Sequence, residues 1–302
     1  MRVFITGGTG FVGTYLVKRL VQEGHEVSVL SRSPGKESGE LGRVHYVQGD
    51  STQAGAWQEA VPANDLLINL AGASIFTYWT EKAKNAVLES RIRTTRNLVD
   101  ALSGAEGKTT LLSASAVGYY GGRLDDTLLT EDSPPGKDFL ARVAMAWEAE
   151  AGRAEHLGVR VVLCRFGIVM GRGGGALKQM ASMFQYFLGS RLGSGKQWFP
   201  WIHLEDLYRA MTFLAGRPDI SGPVNCVAPN PVRNAELTRT LARVLRKPIL
   251  LPPAPAVALR LVLGEFGDLL LKGQRAHPQR LLREGFRFEF PLFEEAVRDL
   301  LS

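Results

Sequence analysis

A group of glycines directly follows the first predicted strand of this chain, Arg2–Thr6. Residues 3–13 read Val-Phe-Ile-Thr-Gly-Gly-Thr-Gly-Phe-Val-Gly, and an amphipathic helix is predicted over Phe11–Glu23. Glycines permit a tight turn and a close approach of the backbone to a ligand, and the unpaired N–H groups at a helix start attract phosphate. The layout predicts a dinucleotide site, with a purely structural glycine turn as the alternative. Its residues are Gly7, Thr9, Gly10, Phe11, Val12 and Gly13.

Short apolar strands alternate with amphipathic helices as far as about residue 170. The predicted strands are Arg2–Thr6, Glu26–Ser31, Val44–Gln48, Asp65–Ala71, Thr109–Ala114 and Val159–Phe166. The predicted helices are Phe11–Glu23, Glu81–Leu102 and Asp138–His156. Strands that are apolar at consecutive positions are typical of a parallel sheet covered on both faces. We therefore predict the α/β class, with a Rossmann-type doubly wound parallel sheet.

The pattern changes after residue 170, where the glycine-rich segment 171–175 begins a second region. We predict a nucleotide-binding domain over 1–170, rejoined by part of 200–230, and a smaller C-terminal α/β substrate lobe with a helical tail over 171–302. A long apolar helix is predicted within that tail. The other predicted elements are helices Ala176–Leu188, Glu205–Ala215, Asn234–Leu245 and Leu292–Leu301, and a strand at Val224–Val227.

The end of the second strand indicates which dinucleotide is bound. An NAD site usually places Asp or Glu there to bind the ribose 2′-hydroxyl, but this strand ends Val29-Leu30-Ser31-Arg32-Ser33. Arg32 supplies donors that suit a 2′-phosphate, and Ser31 adds a hydroxyl. These residues favour NADP(H) over NAD, with an exposed loop arginine as the alternative. Asp50, after the third strand, would accept the adenine amino group or act as a local cap.

Composition excludes several classes of protein. The 302 residues carry 36 Lys+Arg against 30 Asp+Glu, a net charge of +6, with the basic residues scattered. A solvated basic surface explains this better than nucleic-acid binding, and we expect no nucleic-acid partner. Cys164 and Cys226 are too few for a disulfide framework, and the histidines are too dispersed for a metal site. We expect a cytoplasmic protein with no metal, no membrane span and no membrane partner.

Several strings together resemble the short-chain dehydrogenase/reductase superfamily in its extended, nucleotide-sugar-epimerase-like branch. They are Thr6-Gly-Gly-Thr-Gly-Phe-Val-Gly13, Asn69-Leu-Ala-Gly72, Ser113-Ala-Ser-Ala-Val-Gly-Tyr-Tyr-Gly121, Arg165-Phe-Gly-Ile-Val-Met-Gly171 and Trp201-Ile-His-Leu-Glu-Asp-Leu207. More narrowly, Gly173-Gly-Gly-Ala-Leu177, Phe199-Pro-Trp-Ile-His203 and Gly273-Gln-Arg-Ala-His-Pro-Gln-Arg280 resemble the epimerase family that includes human short-chain reductase family 39U. The resemblance implies NADP(H) at the carboxyl ends of the strands. It also implies cofactor contacts from Leu70, Ala71, Gly72, Arg91 and Ser113, with a surface ion pair as the alternative for Arg91.

The chain departs from that superfamily at the catalytic residues. Other members pair a serine with Tyr-x-x-x-Lys on the following helix, and the alignment through Glu148 puts Leu140 and Ala144 at the tyrosine and lysine positions. Neither side chain can transfer a proton. Ser115 is retained and is predicted to polarise a carbonyl. Tyr119 or Tyr120 would replace the missing acid, or would simply pack as part of a lid.

The substrate side is less well defined by the sequence. His203 and Trp201 would line the substrate cleft; the alternative is that they pack in the lobe while Glu205 and Asp206 meet a helix dipole. The glycines at 173–175 would form either an anion-binding nest or a hinge. We predict an NADP(H)-binding reductase or epimerase of a small carbonyl or sugar-nucleotide-like substrate. The alternative is a non-catalytic NADP(H) sensor; the oligomeric state stays open, a homodimer being one option.

Overall fold

The computed structural model describes residues 1–33, 44–103 and 109–302. Its centre is a sheet of seven strands in the order β11-β7-β5-β4-β1-β2-β3, with every neighbouring pair parallel. These strands are β1 Arg2–Thr6, β2 Glu26–Ser31, β3 Val44–Gln48, β4 Leu66–Asn69, β5 Thr110–Ala116, β7 Arg160–Phe166 and β11 Gly222–Cys226. The predicted doubly wound parallel sheet is confirmed.

Helices cover both faces of the sheet because its strands are apolar on both sides. On one face α1 and α5 pack over a core that includes Leu16, Leu20 and Met211. On the other face α2 and α3 pack over Leu98, Leu111 and their neighbours. The bounds are α1 Phe11–Gln22, α2 Glu81–Asp100, α3 Phe139–Gly152 and α5 Leu204–Ala215. A short 3-10 helix, Arg153–Leu157, continues α3.

A second, smaller apolar core, which includes Trp201, Leu241 and Phe293, is formed by elements of the second half of the chain. Three two-stranded ribbons involve this half of the chain, and one of them pairs it with Leu128–Leu129. The strands are β6 Leu128–Leu129, β8 Ile168–Met170, β9 Trp198–Phe199, β10 Trp201–His203, β12 Val232–Arg233 and β13 Arg275–Ala276. The helices are α4 Gly175–Gln185, α6 Asn234–Leu245, α7 Ala256–Leu263, α8 Glu265–Leu270, α9 Gln279–Arg283 and α10 Phe293–Leu301.

Several predicted bounds differ from the structure by a few residues, and two differences have a clear physical cause. The strand predicted over Asp65–Ala71 is only Leu66–Asn69, because the chain turns at Leu70 toward the glycine turn. The single long helix predicted in the tail is wrong: α7 and α8 are separated at Gly264, whose φ of 59° a helix cannot contain. Within the described ranges, no helix has both the length and the apolar character needed to cross a membrane.

Candidate functional site

The glycine turn lies where the strand order reverses, between β1 and β4. Gly7 has a φ of 74°, and a Cβ there would lie 2.8 Å from the backbone nitrogen of Ala71. A Cβ on Gly13 would overlap the carbonyl oxygen of Gly7. The first helix therefore approaches the sheet closely only because both residues are glycine.

The start of α1 is open toward the carboxyl edge of the sheet. Gly10 is its N-cap residue and supplies no side-chain acceptor, so the first N–H groups of the helix are not capped by a side chain. Thr9 and Gly10 are exposed, while Phe11 and Val12 are partly buried. This arrangement provides backbone donors and a positive helix end for an anion.

Phe11 accounts for most of the glycine segment in the second half of the chain. A Cβ on Gly171, Gly174 or Gly175 would fall against the Phe11 ring, closer than van der Waals contact allows. The sequence predicts an anion-binding nest or a hinge at 173–175 and does not predict this contact with Phe11. The glycines instead form a close-fitting surface around the ring, which joins the nucleotide turn to α4.

Arg32 lies at the predicted position, at the end of β2. Its side chain is exposed. Two hydrogen bonds from Thr52 lower the pKa of Asp50, and the positive charge of Arg32 lowers it further. Those bonds, 2.9 Å from the Thr52 nitrogen and 2.8 Å from its hydroxyl, both reach Asp50 Oδ1. The Ser31 hydroxyl accepts from the backbone nitrogen of Ser33. The structure thus brings Ser31, Arg32 and Asp50 to one end of the sheet.

Arg91 is a partly buried cation rather than half of a surface ion pair. It donates to the carbonyl oxygens of Ala73 at 3.0 Å and Val87 at 2.9 Å. Among the described residues it has no carboxylate partner, and burial lowers its pKa to about 10. A Cβ on Gly72 would lie 3.0 Å from the guanidinium carbon, so Gly72 rests directly on Arg91. A guanidinium held this way beside the glycine turn can bind phosphate.

Ser113 and Leu70 lie near the carboxyl ends of the strands next to the glycine turn. The Leu70 nitrogen donates to the Thr6 carbonyl oxygen, which fixes the chain beside β1. The fully buried Ser113 hydroxyl accepts from Asn69 Nδ2 at 3.2 Å, and the same amide nitrogen donates to Thr95 at 2.8 Å. Ser113 therefore belongs to a buried polar network beneath the strand ends and does not face an open cleft.

Ser115 is held by a buried ion pair that the sequence reasoning missed. Its hydroxyl donates to Glu148 Oε1 at 2.6 Å, and Glu148 also accepts from Arg165 Nε and Nη2 at 2.8 Å each. Because its proton points to Glu148, the buried Ser115 hydroxyl cannot polarise a carbonyl while that bond lasts. An arginine and a glutamate within otherwise apolar segments were the signals that could have revealed this pair.

The two tyrosines differ in what their hydroxyl groups contact. Tyr120 is buried, donates to Asn225 Oδ1 at 2.7 Å and accepts from Arg165 Nη1 at 3.0 Å; burial raises its pKa to about 12. The ring of Tyr119 is partly buried, with the Arg165 guanidinium 3.5 Å from its centroid. The structure thus gives Tyr120 a positioning role and leaves Tyr119 as the better candidate for the proton donor.

Leu140 and Ala144 lie on α3, above the tyrosine-containing turn. A Cβ on Gly118 would be 3.4 Å from the Leu140 Cβ, and Ala144 is buried. These are the positions where the sequence comparison placed the missing tyrosine and lysine. Apolar packing therefore occupies the place from which that pair would act.

The prediction that His203 and Trp201 line the substrate cleft is wrong. Trp201 is fully buried and donates to the Asn230 carbonyl oxygen at 3.0 Å. His203 is the N-cap of α5: its Nδ1 accepts from the Glu205 nitrogen, and its ring packs on Phe290 with centroids 4.0 Å apart. The alternative interpretation, packing at a helix start, describes both residues.

The sequence profile of the NAD dependent epimerase/dehydratase family matches residues 3–226, which include the glycine turn and all seven strands of the main sheet. This chain belongs to the NAD dependent epimerase/dehydratase family. A second profile, a domain of unknown function (DUF1731), matches residues 254–300.

Relatives of similar length show the same relationship along the whole chain. Epimerase family protein YfhF of Bacillus subtilis is 41% identical over all of this chain and 98% of its own. The chloroplastic SDR39U1 homolog of Arabidopsis thaliana is 40% identical over all of this chain and 87% of its own. The crystal structure of human epimerase family protein SDR39U1 with NADPH superposes with a TM-score of 0.85, at 33% identity over 99% of both chains. The family resemblance predicted from the sequence is confirmed.

Proposed function

We propose that this epimerase-family chain binds NADP(H) at the turn between β1 and α1. Arg91 carries the proposal: its partly buried guanidinium has no carboxylate partner in the described structure and lies against Gly72. Gly72 follows Ala71, which contacts Gly7 of the glycine turn, and the α1 start that follows this turn has no side-chain cap. A pyrophosphate held by the Gly10–Gly13 backbone would supply the negative charge that Arg91 lacks. The human relative's structure with NADPH supports the same assignment.

Arg32 is proposed to select the phosphorylated cofactor. Its guanidinium is exposed at the end of β2, where a dinucleotide presents its adenine ribose. It has no bidentate carboxylate partner within the described residues, so its donors are available to a 2′-phosphate. Ser31 and Asp50 would contact the ribose and the adenine amino group from the same end of the sheet.

We propose that the bound cofactor serves hydride transfer to a small carbonyl or sugar-nucleotide-like substrate. The nicotinamide supplies the hydride, and Tyr119 supplies the proton from the turn after β5. Arg165 lies against the Tyr119 ring and stabilises the negative charge that develops as the phenol proton leaves. Ser115, fixed by Glu148, accepts a hydrogen bond from a substrate hydroxyl. The same site would serve a reductase or an epimerase.

A second function, a non-catalytic NADP(H) sensor, is favoured by one observation. The Ser115 proton is engaged by Glu148, and Leu140 and Ala144 leave α3 without a proton-transferring side chain. In that case the cofactor site would be complete while the catalytic machinery would not. Turnover distinguishes the two functions.

The test combines binding and turnover. We expect NADPH oxidation with at least one member of a panel of aldehydes, ketones and nucleotide sugars. Tyr119→Phe should then lower kcat by roughly 10²–10⁴-fold, the contribution of a positioned acid, with the Kd for NADPH unchanged. Ser115→Ala should also lower turnover. Tyr186→Phe is the matched control, since Tyr186 is 73% exposed, and it should have no effect on turnover. Tight binding without turnover on any substrate would support the sensor instead.

The chain divides into two parts, and its cysteines are consistent with a cytoplasmic location. We propose that residues 1–170 form the cofactor domain and residues 171–302 the lobe over the substrate, with Gly222–Cys226 returning to the sheet. Cys164 and Cys226 are free and buried in the structure, as thiols of a cytoplasmic protein would be.

A further inference from the structure

An exposed apolar surface lies on the second half of the chain, formed by segments 183–188 and 249–262. We call it the apolar face. No residue of α7 is buried, although its sequence is almost entirely apolar. Leu261 is 79% exposed, Tyr186 73%, Val262 72% and Leu250 64%. So many large apolar side chains in contact with solvent mark a binding surface rather than ordinary surface variation.

Contacts next to the apolar face join the loop after α4 to the segment after α6. The Lys247 ammonium lies 4.8 Å from the centroid of the Phe187 ring. The Ser190 hydroxyl donates to the Pro252 carbonyl oxygen at 3.0 Å, and the Ala254 nitrogen donates to the Arg191 carbonyl oxygen at 2.8 Å. The loop after α4 and the segment after α6 therefore lie side by side.

Backbone strain is concentrated at the same place. In the described part of the chain, the non-glycine residues with a positive φ are Phe187, at 58°, and Arg246, at 53°. Each follows the end of a helix, α4 or α6, where glycine is the favoured residue. Phe187 adopts this conformation while it remains 42% exposed. Strained residues of this kind cluster at functional surfaces, which directs attention to this part of the chain.

Positive charge borders the apolar face beside α4 and α6, whereas the acidic Glu265 and Asp268 follow α7 and pair with Lys84 and Arg260. The sequence contains no Asp or Glu from His156 to Leu204, nor from Leu237 to Gly264. None of the ion pairs in the described part of the chain involves Arg191, Arg239, Arg246 or Lys247. Arg191 and Arg239 also border a cleft of about 230 Å³ whose other walls include Ile249, Leu251 and Pro253. A ligand for this cleft combines an anionic group with an apolar part.

We propose that the apolar face binds the surface of an anionic phospholipid bilayer. The basic side chains would meet the headgroup phosphates, the cleft at Arg191 and Arg239 would take one phosphodiester, and the α7 side chains would enter the interfacial region. A second copy of the chain would oppose like charges across the contact. A nucleic acid would leave the apolar side chains without partners. The expectation of no membrane partner rested on the lack of a spanning segment, which does not test binding at a surface.

Vesicle co-sedimentation of the full chain tests the proposal. The probes are vesicles of phosphatidylcholine alone and of phosphatidylcholine with phosphatidylglycerol in a ratio of about three to one. We expect binding to the anionic vesicles only, weakened by salt, since each basic residue near such a surface strengthens binding roughly fivefold. The double variant Leu261→Asp/Val262→Asp should lower this binding about tenfold or more. The control Leu124→Asp, at a 66% exposed residue outside the face, should not.

The strained phenylalanine provides a second, independent measurement. Phe187→Gly should raise Tm, because glycine accommodates the positive φ, and should weaken binding to the anionic vesicles. A structural role for Phe187 would instead lower Tm. NADPH affinity of every variant should equal that of the unchanged chain, which separates this proposal from the cofactor site.

Four outcomes would overturn the proposal. They are binding to neither vesicle, equal binding to both, equal losses in Leu124→Asp and Leu261→Asp/Val262→Asp, and an unchanged vesicle affinity in Phe187→Gly. A dimer in light scattering that only Leu261→Asp/Val262→Asp disrupts would assign the face to a second copy. Binding to polyglutamate or duplex DNA in place of the vesicles would assign it to a macromolecular partner.

Discussion

Arg91 and His203 show how burial decides what a titratable side chain does. Both were candidate ligand contacts; Arg91 is partly buried and His203 is 5% exposed. Arg91 remains near the glycine turn without a counter-charge in the described structure. His203 instead packs on Phe290 and caps the N-terminus of α5. The sequence identifies polar residues near a cleft, but only tertiary contacts determine which of them face it.

His203 predicts a specific acid sensitivity. Burial lowers its pKa below the usual 6.5, despite the nearby Asp299 carboxylate 3.3 Å from Nε2. The unfolded chain therefore binds a proton first as the pH falls. The associated stability is present above about pH 6.5 and is lost as the pH falls through the lower folded-state pKa.

Denaturant unfolding across that pH range measures the effect. His203→Asn retains an N-cap acceptor and should flatten the fall in stability below pH 6.5, with about 1 kcal/mol lost at all pH values from the Phe290 contact. The exposed His156, replaced by Asn, should leave the curve unchanged. A curve that is as steep in His203→Asn as in the parent chain would refute this account of His203.

At the scale of elements, the contact between Phe11 and the segment before α4 links the two halves of the chain. Gly174 has a φ of −151°, which alanine adopts easily, so only the nearby ring opposes a larger residue. Gly174→Ala should therefore destabilise the protein by about 1–3 kcal/mol, the range for overpacking, and should weaken NADPH binding by displacing the first residue of α1.

A double-mutant cycle isolates this contact. Adding Phe11→Ala to Gly174→Ala should recover part of the lost stability, because the ring that clashes is then absent. Gly152→Ala, where nothing lies within 4 Å of the added Cβ, is the control and should not destabilise the chain. Strictly additive effects of Phe11→Ala and Gly174→Ala would contradict the close-fitting contact.

Most element bounds could be predicted because hydrophobic periodicity and glycine positions are local signals. The helix Asn234–Leu245 was predicted without error, and α1 ends one residue before its predicted end. The break at Gly264 was missed because the apolar residues on both sides resemble one helix. Close packing of three glycines on Phe11 was missed because it joins segments about 160 residues apart in the sequence.

At the scale of the whole molecule, pairing between distant strands creates the buried cluster behind the site. Ser115 and Asn225 are both register partners of Arg165, so β5, β7 and β11 present these three residues in one row. The fold class followed from the alternation of elements, and the cofactor turn from its glycines. The row of Ser115, Arg165 and Asn225 could not be predicted in this way, because it depends on the register of strands far apart in the sequence.

We propose that this fold binds NADP(H) and distinguishes it from NAD(H) through Arg32. Isothermal titration calorimetry of NADPH and NADH with the full chain measures it directly, together with Arg32→Ala. Arg93→Ala, which removes the same charge from an exposed pair with Glu89, is the matched control.

We expect NADPH to bind more tightly than NADH. Arg32→Ala should weaken NADPH by roughly 1.5–3 kcal/mol, about 10–150-fold in Kd, with little change for NADH. Arg93→Ala should change neither affinity. Equal affinities for NADPH and NADH in the unchanged chain would contradict the account.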